Sequence, residues 1–120
     1  MYLINGTEVL TDLTIEPGIT EIESYSLCGY TPLLSVTLPE GLNYIQDYAF
    51  SLCENLQDIN FPNSLINIGK YAFNSCKSLK QIQLNNTNIT SIKDYTFNAC
   101  SNLENISLSN NISSIGNYAF

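Results

Sequence analysis

The sequence predicts an α/β solenoid of about five stacked 23–24-residue repeats, each pairing a short parallel strand with a short helical turn. Three observations predict it. Tyr25, Tyr48, Tyr71, Tyr95 and Tyr118 recur at steps of 23, 23, 24 and 23. Ile22, Ile45, Ile68, Ile92 and Ile115 recur at the same steps. Leu10, Leu33, Leu56, Leu79 and Leu103 open a segment of the form L-x-x-I-x-L, continued by Leu13, Val36, Ile59, Ile82 and Ile106 and then Ile15, Leu38, Phe61, Leu84 and Leu108. Self-similarity at a fixed period is the mark of a repeat architecture. One such unit cannot bury its own apolar face, whereas stacked units share a continuous core.

The elements follow in chain order. Residues 1–9 precede the first repeat, and Asn5-Gly6-Thr7 between Tyr2-Leu3-Ile4 and Glu8-Val9-Leu10 signals a hairpin. That hairpin is either an N-terminal cap or the remnant of a preceding repeat, and the solenoid occupies 10–120. Within a repeat, L-x-x-I-x-L alternates with period two and is β-favouring, which makes it a strand. Pro39 and Pro62 end their strands because proline lacks the ladder donor. The Tyr-Ala-Phe stretch that follows suits one helical turn, with Asp47 or Asp94 as the acid at its N-terminus. The single 24-residue step places an extra residue in Asn85-Asn86-Thr87-Asn88. No cap is visible after Phe120, which suggests a piece of a longer array or association through that end.

Composition narrows the function. At 120 residues and 44% hydrophobic, the chain is one domain with a core. Charged residues are 12%, about half the usual share, and 16 Asn and 13 Ser fill the polar surface instead. The net charge is −7, all four basic residues are Lys, and there is no His. An acidic chain without Arg is a poor ligand for a phosphate backbone, so no nucleic acid partner is expected. Without His, the commonest metal ligand and general base are missing. No apolar run is long enough to span a membrane, and the N-terminus lacks the basic and apolar regions of a signal peptide. The charge is unevenly spread, −9 over residues 1–60 and +2 over residues 61–120.

The segments Ile45-Gln46-Asp47-Tyr48-Ala49-Phe50-Ser51-Leu52-Cys53 and Ile68-Gly69-Lys70-Tyr71-Ala72-Phe73-Asn74-Ser75-Cys76 resemble the BspA-like leucine-rich repeats, whose signature runs Ile-Gly-x-x-Ala-Phe-x-x-Cys-x-x-Leu. The resemblance spans roughly residues 10–120. The first repeat departs from it, with Tyr25-Ser26-Leu27 for Tyr-Ala-Phe and Tyr30 at the Cys position, and the last stops at Phe120. Gly41, Ser64 and Thr87 stand where other leucine-rich repeats carry Asn or Cys. The resemblance implies extracellular or cell-surface display and a role in adhesion. It implies a protein or glycan ligand, such as a host surface or matrix protein.

Cys53, Cys76 and Cys100 share one column, and Cys28 lies two positions out of it. Column neighbours at strand spacing are within disulfide reach by distance, yet a buried thiol column beside Phe50, Phe73 and Phe97 is the expectation. Three ligands in a line do not form the tetrahedron zinc needs. N-x-S/T sequons begin at Asn5, Asn85, Asn88, Asn105 and Asn111, against about three expected by chance. Glu21 and Glu23 are close in sequence, but nothing provides the desolvation a catalytic carboxylate pair needs. No phosphate loop, nucleophile elbow or calcium loop is present. The chain is therefore expected to be no enzyme and to use no cofactor.

Two surfaces are candidate partner sites. With Leu13 and Ile15 inward, the strand face presents Asp12 and Thr14, then Ser35 and Thr37, Asp58 and Asn60, Gln81 and Gln83, and Asn105 and Ser107. On another edge, the two positions before each column Ile are polar except for Tyr44 and Ile66. The charge asymmetry and the missing cap also suggest weak head-to-tail self-association.

Overall fold

The computed structural model describes residues 4–5 and 8–120. It is a solenoid of about five turns. Each repeat contributes two short strands, and like strands of successive repeats pair in parallel. The first set comprises β3 (Asp12–Thr14), β5 (Ser35–Thr37), β7 (Asp58–Ile59), β9 (Gln81–Gln83) and β11 (Asn105–Ser107). The second comprises β4 (Glu21–Ile22), β6 (Tyr44–Ile45), β8 (Asn67–Ile68), β10 (Ser91–Ile92) and β12 (Ser114–Ile115). The registers join residues one period apart, such as Leu13 with Val36 and Ile22 with Ile45. Both sets divide between the third and fourth repeats, β3-β5-β7 from β9-β11 and β4-β6-β8 from β10-β12. The extra residue, within 85–88, falls between β8 and β10 of the second set and between β9 and β11 of the first. Thr87 is buried there, its hydroxyl donating to Leu84 O at 2.8 Å.

Ahead of the repeats, β1 (Ile4–Asn5) pairs antiparallel with β2 (Glu8–Val9). The tip of the hairpin expected there, Gly6-Thr7, lies outside the described residues.

The core is made of the periodic columns. Phe50, Phe73 and Phe97 are fully buried and stack at 5.1 and 5.4 Å. Leu33, Leu56 and Leu79, and Leu42, Leu65 and Ile89, are equally inaccessible. The columns open at the C-terminal end, where Ile106, Ile115 and Phe120 are exposed.

The helical turn expected at Tyr-Ala-Phe is absent: no helix occurs among the described residues. Alternate N–H groups of this segment are committed to the next repeat. Tyr48 N donates to Lys70 O at 3.0 Å, Phe50 N to Ala72 O at 2.8 Å and Leu52 N to Asn74 O at 2.8 Å. The groups between them close three-residue turns, Ala49 to Gln46 and Ser51 to Tyr48. A helix needs an unbroken run of bonds four residues apart, and here half the donors point along the solenoid axis. Tyr48 (φ 62) and Leu52 (φ 63) take the left-handed conformation that turns the chain between these bonds. Asp47 therefore caps no helix. Its Oδ1 accepts the Lys70 N–H of the next repeat at 2.8 Å, and Asp94 does the same for Asn117.

Candidate binding surfaces

Strand register builds the first surface. Pairing aligns Asp12 with Ser35 and Ser35 with Asp58, Thr14 with Thr37, Asn105 with Gln81, and Ser107 with Gln83. Ser35, Thr37, Asp58, Asn60, Gln81 and Gln83 line a shallow depression of about 370 Å³ floored by Val36 and Ile59. It crosses the interval where the sheets divide. Asp12, Thr14, Asn105 and Ser107 are exposed on the same strands but outside the depression.

Three of the candidates, Asn60, Asp12 and Ser35, bond to a neighbouring repeat. Asn60 clamps the preceding repeat: its Oδ1 accepts Leu38 N at 2.7 Å and its Nδ2 donates to Leu38 O at 2.9 Å. Asp12 Oδ1 accepts the Ser35 hydroxyl at 2.6 Å. Gln81 and Gln83 are tied only to each other, at 3.4 Å. Thr37 and Asp58 make no side-chain hydrogen bond among the described residues, so with the two glutamines they are the side chains most available to a partner.

Tyr44 and Ile66 are both exposed, at 40% and 45%. They do not fall in one row. Tyr44 is registered with Glu21 and Asn67, and Ile66 precedes Asn67 in the chain.

A tyrosine ladder is the surface that sequence reasoning missed. Tyr25, Tyr48, Tyr71, Tyr95 and Tyr118 stack at centroid distances of 4.7, 4.7, 4.6 and 5.1 Å, with interplanar angles of 5°, 4°, 3° and 20°. All five backbones are left-handed, φ 54–62. That conformation is costly for any residue but glycine, and it recurs in every repeat. Tyr25 and Tyr118 are 60% and 69% exposed and the three between them half-buried. Burial, then the neighbouring phenols, push the Tyr48 and Tyr95 hydroxyls above their ordinary pKa of 10.0. The clue available in the sequence was the residue type. A column that carries a hydroxyl in every repeat, two positions from a Phe column, is not behaving as core.

At the N-terminal end, Leu13, Ile15, Ile19, Ile22 and Leu27 line an apolar cavity of about 500 Å³ bordered by Glu16, Glu21 and Glu23. The cysteine column is as expected. Cys53, Cys76 and Cys100 are free and buried, and their thiols donate to Leu27 O, Phe50 O and Phe73 O at 3.1–3.2 Å. Burial pushes the Cys53 and Cys100 thiols up to about 12 and raises Cys76 well above its ordinary range. Such thiols are inert rather than nucleophilic. Among the described residues no group of His, Cys, Asp or Glu could hold a metal ion, and no helix is long and apolar enough to cross a membrane.

Comparison with known proteins bears directly on this architecture. Residues 20–120 match the BspA type leucine-rich repeat region in six copies. The chain belongs to the BspA-type leucine-rich-repeat family. It is similar to a leucine-rich cell surface protein of Faecalibacterium prausnitzii A2-165, with 30% identity and a TM-score of 0.86 over 95% of this chain. It spans 31% of that relative's length. A leucine-rich-repeat protein of T. pallidum shares the fold at 18% identity and a TM-score of 0.50, over 92% of this chain and 68% of the other. No curated protein matches.

Proposed function

We propose that this repeat array is a non-catalytic binding and adhesion module, displayed at a cell surface, that recognises a protein or glycan through its polar strand face. The observation that carries the reading is the depression where strand register gathers six polar side chains, with Gln81 and Gln83 free of backbone duties. Surface display is supported by the cell-surface relative. The test is capture of extracellular matrix proteins and glycans by the immobilised chain. Replacing Gln81 and Gln83 together by Ala weakens capture about tenfold, the loss of one or two hydrogen bonds. Capture unchanged by the pair removes the strand face from the reading, and no capture from either panel removes the adhesion role.

A second reading is a structural protein that associates end to end. What favours it is the charge contrast along the stack, −9 over residues 1–60 against +2 over residues 61–120.

A further inference from the structure

We propose that the tyrosine ladder is a second binding surface, one that takes a polyproline-II segment of a partner protein. It shares no residue with the strand-face depression, so it stands apart from the function proposed above.

Stacking covers both faces of Tyr48, Tyr71 and Tyr95 and one face each of Tyr25 and Tyr118. Along its length the ladder therefore presents ring edges and phenol hydroxyls. No ladder hydroxyl has a hydrogen-bond partner among the described residues. The nearest carboxylates in the chain, Asp47 and Asp94, are occupied by amides of the next repeat. The result is a rigid, largely neutral row of donors on rings stepped 4.7, 4.7 and 4.6 Å apart, with a last step of 5.1 Å.

The pitch selects the partner. A sugar ring stacks its C–H groups on the electron-rich aromatic face, and here most of those faces are taken. An extended strand repeats every two residues, at about 6.6–6.8 Å, and drifts out of step with rings 4.6–4.7 Å apart. A polyproline-II helix repeats every three residues, at about 9.3 Å, which is twice the ladder step. Every third residue then meets every second tyrosine, and about seven residues span the five rings. Its carbonyls have no internal hydrogen bonds, so they are free to accept from the phenols. Both partners are preformed, so little ordering entropy opposes binding.

The test uses a fluorescein-labelled nonaproline and a Gly-Ser peptide of equal length, with binding read by anisotropy. Nonaproline binds and the Gly-Ser peptide does not. The combined change Tyr25→Phe, Tyr71→Phe and Tyr118→Phe keeps the stack and removes three donors, weakening binding at least about tenfold. Replacing Gln81 and Gln83 by Ala leaves nonaproline binding unchanged, whatever it does to other partners. A readout without any variant is the intrinsic tyrosine fluorescence, which nonaproline alters and the Gly-Ser peptide leaves alone. The proposal is overturned by absent nonaproline binding at millimolar concentration, or by equal binding of the two peptides. It is also overturned by affinity that survives the triple Phe change or falls with the glutamines.

Discussion

Gly69 sits against the repeat before it more closely than any side chain could. A Cβ there would lie 2.5 Å from Asp47 N and 2.7 Å from Gln46 C, and Gly116 stands in the same relation to Asp94 and Lys93. Asp47 and Asp94 each clamp the next repeat, and in both cases that repeat supplies the glycine. Gly69→Ala should lower stability by about 1–3 kcal/mol, the usual cost of overpacking. Adding Asp47→Ala should not restore it, because the blocking atoms include backbone; denaturant unfolding of the single and double variants checks both. Phe73→Ala should cost about 3–5 kcal/mol as a buried ring with a neighbour on each side. Phe120→Ala should cost clearly less, since that ring is 42% exposed; equal losses in thermal melts contradict the stacked core. Cys53, Cys76 and Cys100 should react with a thiol reagent only after unfolding, while half-buried Cys28 reacts first. The Phe and Cys columns were legible in the sequence because a residue that recurs in phase meets its own kind. The Asp47–Gly69 pair was not, since it depends on how closely two repeats approach.

At the scale of the element, the first strand of each repeat was readable, and the second strand, such as Tyr44–Ile45, and the turn were not. Strand alternation is a local pattern. The Tyr-Ala-Phe segment instead spends alternate N–H groups on acceptors 22 or 23 residues away in the next repeat, and nothing within one repeat announces that. The ladder was hidden with it, because rings one repeat apart stack only on the left-handed backbone that this segment takes. The ladder makes a pH prediction. Tyr48 and Tyr95 have pKa values raised by folding, so their contribution is fully present below the unfolded value of 10.0 and is lost as pH climbs through the raised one. The buried thiols have the same sign, losing stability between the ordinary 9.0 and about 12. Stability should thus fall steeply above about pH 10. Tyr48→Phe with Tyr95→Phe should flatten the phenol part of that fall while leaving the thiol part. Melting temperature against pH, alongside phenolate absorbance, separates the two; an identical alkaline profile for both proteins rules out the ladder as its source.

At the scale of the molecule, repeats stack in sequence order, so a sequence asymmetry becomes an axial one. The acids of residues 1–60 gather at the N-terminal end, where Glu16, Glu21 and Glu23 border the apolar cavity. Lys70, Lys77, Lys80 and Lys93 lie in the other half, with Lys77 partly answered by Glu54 at 3.6 Å. A second copy seated on the C-terminal end would continue each column, with Tyr25 on Tyr118 and Ile22 on Ile115. Such a contact is heterologous, and heterologous contacts propagate. Screening opposes the long-range part, since exposed charges are attenuated beyond about 8 Å at physiological salt. The expected outcome is weak association at low ionic strength that fades as salt rises, read by sedimentation velocity. Two variants test its polarity. Ile19→Lys blocks the cavity end and Ile115→Glu the other, at positions 43% and 55% exposed. Each alone should be monomeric, and a mixture of the two should form a dimer of one of each, because one good end of each kind remains. Isologous pairing predicts no such rescue. A single monomeric species for the unmodified chain at high concentration and low salt, or a dimer that strengthens with salt, rules out the electrostatic head-to-tail contact.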